Sequence, residues 1–580
     1  MNTIVLRVLF AATCLAAARV EAAAPIGAIQ TFFADAFEEH LRDSPEFATA
    51  LGRHDYDDRW RDWSKEGRAT IHGHLESRLK QLGSLPTDGV SDADKLSLRL
   101  FRYQSESDLA AEDLETHLLS LQQLYGFHVR VYLTIDRMSA HNAHEYENIL
   151  ARLRAVPVYV SQHIDILNES ISRGLTQPLV VVDRILDQLD HQISQDAAHS
   201  ALLEAFRHFP ANVPAAEQER LRGAAQEAYD KDFLPAWRKL QAFVAGPYRA
   251  KARPGIGIGS LADGRAEYAV LVRRLTTTSR TPEDIHQLGL AEVTRIEAQM
   301  LAVAREIGYK GSLQEFAQSL EKSPDQHFKS KDDMLIYCRN TAKIIEPELP
   351  TLFKRIPVLL YGVRAIPEDR EQASASNAQA PTADGSAPGW FNLNTYEPEK
   401  QFRYDKEALV LHEAVPGHVF QGAVARSIAG LPEFRKYYGN SAYAEGWALY
   451  AESLGRDLGV YRDPYSRYGQ LSSERFRAVR LVVDTGIHAF GWSRERALEY
   501  FHKHAPEETV AEIDRYISWP AQALAYKLGQ LEIRALRSEA EARLGAKFDV
   551  REFHDAVLRD GVLPLELLHE QIGSYIGSVH

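Results

Sequence analysis

His412, Glu413 and His418 fall within seven residues of one another, in "LHEAVPGHVFQ" (411–421). Two imidazoles and a carboxylate so close together suggest metal chemistry. The usual helical arrangement, H-E-x-x-H, puts the two histidines one turn apart on one face. Here the second histidine follows six residues after the first. On an unbroken helix, at about 100° per residue, the two rings point about 120° apart. Pro416 changes that geometry. It cannot donate to the carbonyl of His412, four residues back, and its ring clashes there. Val415 is turned away from helical angles by the proline that follows it. Gly417 adds backbone freedom. The Pro-Gly pair can loop out the excess residues and return His418 to the side of His412.

Zinc needs a third protein ligand, and a catalytic site leaves a further position open. "SAYAEGWALYAES" (441–453) offers Glu445 and Glu452, two turns apart on one face of an apolar helix. A buried carboxylate needs a partner, and a metal or a ligand imidazole can be one. Glu445 is the expected third ligand, and Glu452 is expected to orient an imidazole. Glu413 is placed to act as general base toward a water activated by the metal.

Two further segments carry polar groups on apolar helices. In "RAVRLVVDTGIH" (477–488), Arg477, Arg480, Asp484 and His488 recur at three- or four-residue steps. Such a stripe reads either as a buried network or as site machinery. In the second reading His488 donates to the transition state, Arg480 anchors a carboxylate and Asp484 supports the site from behind. In "RYISWPAQALAYKLG" (515–529), Gln522 and Tyr526 share a helical face. The Tyr526 hydroxyl is a candidate oxyanion donor, and Arg515 or Lys527 a candidate for a substrate C-terminus. Asn392 and Asn394, in "NLN", are expected on an edge strand that accepts a peptide backbone. His554 and the pair His141/His144 read as structural.

These residues need a scaffold, and most of the chain reads as amphipathic helix rich in Ala, Leu, Glu, Arg and Gln. Two places break that pattern. "PGIGIGSLADG" (254–264) reads as a hinge or linker, with a boundary near residue 250. At 357–400, "PVLLYGVRAIP" and "GWFNLNTY" read as two strands joined by a long polar loop. The expected fold is mainly α: a large two-lobed helical domain with a small β-sheet beside the active-site cleft. Residues 23–250 form the helical N-terminal region, and 251–580 form the catalytic region.

The first 22 residues have the pattern of a secretory signal: Arg7, an apolar run, then small residues before a cleavage site near Ala22. The expected location is periplasmic or secreted. The 580-residue chain has a formal net charge of −13. Losing residues 1–22 removes two cations and one anion and leaves −14. An acidic surface gives no reason to expect nucleic acid or an anionic membrane as partner. Only Cys338 would survive cleavage, so no intrachain disulfide is possible. No later apolar run is long enough to span a bilayer. A serine hydrolase is disfavoured because no G-x-S-x-G occurs.

"HEAVPGHVFQ" followed by "AEGWALYAE" resembles the bacterial domain-of-unknown-function 885 family, grouped with the gluzincin metallopeptidases. The resemblance extends to "SPEFATALG" (44–52), "ADGRAEYAVLVRRLTTT" (262–278), "DGSAPGWFNLNT" (384–395), "RAVRLVVDTGIHAFGWS" (477–493) and "RYISWPAQALAYKLG". It implies a mostly helical catalytic domain and one zinc ion held by His412, His418 and Glu445. It also implies Glu413 as base and a peptide as substrate. A departure lies at Ala387, where that family commonly carries an arginine, and it bears on substrate preference rather than on the metal site. The competing expectations are a zinc hydrolase of a non-peptide amide or ester, and an inactive helical binding protein. Neither oligomeric state nor the choice between exo- and endopeptidase is legible.

Overall fold

The computed structural model describes residues 25–579 apart from positions 87, 359, 368–370, 372–374 and 383–386, so the expected signal segment and its cleavage site lie outside the described residues. Eight helices position the site: α1 (Gly264–Thr276), α2 (Pro282–Glu306), α3 (Lys406–Glu413), α4 (His418–Ser427), α5 (Ser441–Ser453), α6 (Pro464–His488), α7 (Ala511–Ser518) and α8 (Ala525–Leu544). Their ends are legible in the chain. Thr281 and Asp284 form a capping box with Pro282 opening α2. Asp463 caps α6 through the Ser466 N–H, and Asn440 caps α5 through the Tyr443 N–H. These side chains satisfy backbone donors that a helix start otherwise leaves unpaired.

The two expected strands form as β1 (Tyr361–Ala365) and β3 (Gly389–Leu393), and a short β2 (Asn377–Gln379) forms inside the loop between them. The sheet order is β1-β3-β2, with β1 parallel and β2 antiparallel to β3. β3 is therefore the central strand, paired on both sides. Its backbone is not an edge open to a peptide, which corrects the expectation for Asn392 and Asn394. The Asn392 side chain is also engaged, accepting from Arg364 Nε at 2.7 Å and donating to Asn377 Oδ1 at 3.0 Å. Asn394 donates to the Glu371 carbonyl at 2.7 Å.

Two large hydrophobic cores hold the helices together, and neither follows a division near residue 250. One joins Leu153, Val156 and Trp237 to Val479, Val482 and Ile517. The other joins Phe33 and Phe101 to Phe391, Phe434, Trp447 and Ile572. Helix α6 is buried on nearly all faces from Phe476 to His488. Such a helix must be surrounded, and it draws residues from both halves of the chain around it. α2 packs along it so closely that a Cβ on Gly289 would lie 2.8 Å from the side chains of Leu481 and Val482.

The Gly-rich segment is not a hinge. A Cβ on Gly257 would lie 2.1 Å from the Ile487 carbonyl oxygen, and one on Gly259 would lie 2.2 Å from that of His488. Glycines here let one backbone seat directly on the C-terminal end of α6. Among the described residues, no helix is long and apolar enough to cross a membrane.

Candidate metal centre

Helix α3 ends at Glu413, and α4 begins at His418. Between them the chain leaves helical geometry at Ala414 (φ −96°, ψ −93°), passes Pro416 and re-enters through Gly417 (φ −75°, ψ −136°). Gly417 has no room for a side chain, since a Cβ would lie 1.8 Å from the His412 carbonyl oxygen. The turn folds back onto the helix it has just left. Trp447, from α5, donates its indole N–H to the Pro416 carbonyl at 2.8 Å and fixes the turn from the side.

The result brings two rings together that an unbroken helix would separate. The His412 and His418 ring centroids are 4.9 Å apart and nearly perpendicular. Their Nε2 atoms lie 3.5 and 3.3 Å from one oxygen of Glu445. One donor atom from each residue lies within 4.8 Å of the other two. Glu452 bonds His412 Nδ1 at 2.8 Å and leaves Nε2 aimed at Glu445. Burial depresses the His412 imidazolium, but Glu445 and Glu452 outweigh it and raise the group to about 9. Burial raises the Glu445 carboxyl, and the two histidines override this and hold it well below the usual range. Two imidazole nitrogens and a carboxylate oxygen are a donor set that suits zinc, with room for a non-protein ligand.

Glu413 is buried at the end of α3. Burial pushes its carboxyl up, while His412, His418 and Arg477 pull it down. The Tyr526 ring stacks nearly parallel to His412 at 6.4 Å. Its hydroxyl accepts from Arg515 Nη2 at 3.3 Å, which leaves the phenolic proton free to donate elsewhere. The same Arg515 nitrogen bonds Gln522 Oε1 at 2.5 Å. Arg480 lies over the Tyr526 ring at 4.5 Å. Arg480, Arg515, Gln522 and Tyr526 therefore form one cluster beside the histidines.

What brings α8 to this place is a pair of glycines whose role was not legible in the chain. A Cβ on Gly446 would lie 2.4 Å from the Gly529 Cα, and one on Gly529 would lie 1.8 Å from the Ala442 carbonyl oxygen. The backbones of α5 and α8 touch at this crossing. Tyr526 lies one turn before Gly529, and Glu445 lies immediately before Gly446. The single available signal was a glycine within each of two otherwise good helix formers.

Besides Asn392 and Asn394, three expected site residues are elsewhere. His488 is buried with both nitrogens committed: Nδ1 accepts from the Ile258 N–H at 3.1 Å, and Nε2 donates to the Tyr516 carbonyl at 2.9 Å. It ties the Gly-rich segment to α7 and has no proton left for a transition state. Burial pushes it down to about 3. Lys527 is fully buried and bonded to Glu474 at 2.6 Å, Gln530 at 2.7 Å and Glu292 at 2.9 Å. One residue after Tyr526 on the helix, it is rotated about 100° away. Its charge is spent on a structural network and not on a substrate. Asp484 does not touch the histidines. It accepts from the Tyr268 hydroxyl at 2.5 Å and from the Ala521 N–H at 3.1 Å. Ala521 has φ of +69°, uncommon for a residue with a Cβ, and Asp484 holds the turn before Gln522 in that form.

A cavity of about 790 Å³ reaches Glu445. Leu271, Ser518 and Trp519 line it from the region after residue 250; Tyr103 and Glu115 line it from the N-terminal region. Its size is that of a ligand site. The N-terminal region therefore contributes wall to the cavity that reaches Glu445.

A mainly helical protein with a small three-stranded sheet and a His-His-Glu cluster is the class these features define. The chain belongs to the family described as "Bacterial protein of unknown function (DUF885)", whose model matches residues 45–572. No curated protein matches the chain. Its structure is similar to that of a "putative lipoprotein" from Colwellia psychrerythraea, with a TM-score of 0.90 and 25% identity over 95% of this chain and 99% of that one. A second similar structure, a "putative lipoprotein of unknown function" from Shewanella oneidensis, has a TM-score of 0.73 and 19% identity over 93% and 99% of the two chains.

Proposed function

We propose that the protein is an exported zinc-dependent peptidase. The observation that carries this reading is the convergence of His412, His418 and Glu445 donor atoms within 4.8 Å, with the buried Glu413 next to them in the chain. A zinc ion held there would supply a Lewis acid that polarises a carbonyl and acidifies water. Glu413 takes the proton of the attacking water and passes it to the leaving amine, a role worth about 10²–10⁴-fold in rate. Tyr526 donates to the carbonyl oxygen as negative charge develops there, with Arg515 at its oxygen to hold it. Glu452 keeps the His412 ring in place. The cavity beside Glu445 has the volume to take several residues of a peptide. Export is supported by the leader-like first 22 residues and by the "putative lipoprotein" description of the similar structures.

Elemental analysis tests the metal, and hydrolysis of a peptide library tests the reaction. About one zinc per chain is expected in the wild type and in Glu413→Gln, and none in His418→Ala. Peptide cleavage should fall about 10²–10⁴-fold in Glu413→Gln. No zinc after reconstitution would overturn the reading in favour of a binding protein. Zinc with cleavage of esters or other amides but not peptides would move it to the alternative hydrolase.

A further inference from the structure

Beside the histidines the protein collects more positive charge than it neutralises. Arg477 and Arg480 are one turn apart on α6, and Arg515 faces Arg480 from α7. Arg480 Nη2 and Arg515 Nη1 share one carboxylate, Glu512, at 3.0 and 3.3 Å. Arg477 has no carboxylate within 4 Å among the described residues; its Nη1 donates to Ser473 Oγ at 2.8 Å. Two guanidinium nitrogens are buried without any hydrogen-bond partner, Arg477 Nε and Arg480 Nη1. Arg480 itself is only 4% exposed. Two other acids face these arginines: Glu413, opposite Arg477, and Glu508. The burial of Glu508, together with Glu512 and Glu507, outweighs the pull of Arg477 and Arg480 and pushes it up to about 7. Buried donors on a cation ordinarily find an acceptor, because leaving them bare is costly.

The cluster also lies at a defined place. Arg477 is close enough to influence Glu413. Arg480 and His412 both pack against Tyr526, 4.5 Å and 6.4 Å from its ring, which puts them no more than about 11 Å apart. An extended residue spans about 3.3–3.6 Å, so an anion at the arginines lies within about one to three residues of a bond at the histidines. Arginine suits a carboxylate because its planar fork can donate two parallel hydrogen bonds.

Resting on the peptidase reading, we infer that Arg477, Arg480 and Arg515 form a receptor for the free α-carboxylate of the substrate, so that the enzyme removes one to three residues from peptide C-termini. The same chemistry could be met by an acidic side chain, and the test separates the two sources.

The zinc-loaded protein is given randomised N-acetylated tetrapeptides in three forms: free acid, C-terminal amide, and C-terminal amide with Glu in the last position. Mass spectrometry reads the products. The free acids should be cut on the order of tenfold to hundredfold faster than the amides, with one- to three-residue C-terminal products. Arg477→Gln, at a half-buried residue, should shrink that ratio while leaving zinc content unchanged. Arg480→Lys should do the same if it folds. Equal cleavage of acids and amides overturns the inference, as does an unchanged ratio in Arg477→Gln. Rescue of the amide by Glu assigns the arginines to an acidic side chain and overturns the C-terminal reading. If zinc binds and nothing is cut, calorimetry on the same peptides decides. Tighter binding of the free acids keeps the carboxylate receptor and retires the peptidase; equal binding, or none, overturns the receptor.

Discussion

Gly529→Ala should separate Tyr526 from the His412–His418–Glu445 cluster without touching any of those three residues. The added Cβ would lie 1.8 Å from the Ala442 carbonyl oxygen and 2.7 Å from the Gly446 Cα. Carbon and carbonyl oxygen come no closer than about 3.3 Å even in weak hydrogen-bonded contact, so the helices must part by about 1.5 Å. α5 is held at its start by Asn440 and in its middle by the Trp447–Pro416 bond. α8 should therefore give way, and it carries Tyr526 one turn from the substitution. Overpacking of this kind costs about 1–3 kcal/mol. A displacement of about 1 Å at a catalytic group costs about 10²-fold in rate. The assay has three readouts: thermal melting, zinc content and peptide hydrolysis. Melting should fall by a few degrees and hydrolysis by about 10²-fold, with zinc retained. Gly573→Ala is the control, because nothing lies within 4 Å of a Cβ there. It should melt as the wild type does or slightly higher. A Gly529→Ala protein with wild-type melting and rate would refute the claim that the crossing has no room. Loss of zinc in step with activity would show that α5 moved instead.

The remaining expectations concern single groups. Glu452→Gln keeps the size of the side chain but weakens its hold on His412 Nδ1, and zinc affinity should drop about 10–100-fold in a chelator competition. Tyr526→Phe should lower kcat about 10–10³-fold with little change in zinc content, and an unchanged kcat would remove the hydroxyl from the reaction. His488→Ala should lower the melting temperature but leave the pH profile of hydrolysis unchanged, because its bonds go to the backbones of Ile258 and Tyr516. Asp484 should make stability depend on pH. Burial pushes its carboxyl up to about 7, against the lowering bonds from Tyr268 and Ala521. An acid with a raised folded-state pKa binds its proton more tightly when folded. Its contribution is fully present below the unfolded value near 4, and falls by about 1.4 kcal/mol per pH unit as pH rises toward 7. The stability of the wild type relative to Asp484→Asn should therefore decline between pH 4 and 7 and level off above; a flat difference would show that Asp484 is ionised throughout.

The chain alone pointed to the meeting of His412 and His418 because that inference depends on residue type and short spacing. Histidines six apart with Pro-Gly between them require a broken helix, and the broken helix is what forms at 414–417. The strands at 361–365 and 389–393 were legible for the same reason, since a strand is a local preference of β-branched and aromatic residues. The sheet's order was not local, and it left β3 in the centre where an edge had been expected. The polar stripe on α6 shows the same limit. Three- and four-residue spacing puts Arg480, Asp484 and His488 on one face, yet only packing decides what each meets. Arg480 meets Tyr526, Asp484 meets Ala521 and His488 meets the backbone of Ile258. Tyr526 and Lys527 are neighbours in sequence, but one faces the His412 ring and the other a buried glutamate. Helix rotation, set by the Gly446–Gly529 contact, makes that difference. Residue types and their spacing settle which groups could share a metal, because ligand chemistry is short-ranged. The partners of Asp484 and His488 were settled by contacts with Tyr268 and Ile258, 216 and 230 residues away in the chain, which no local pattern encodes.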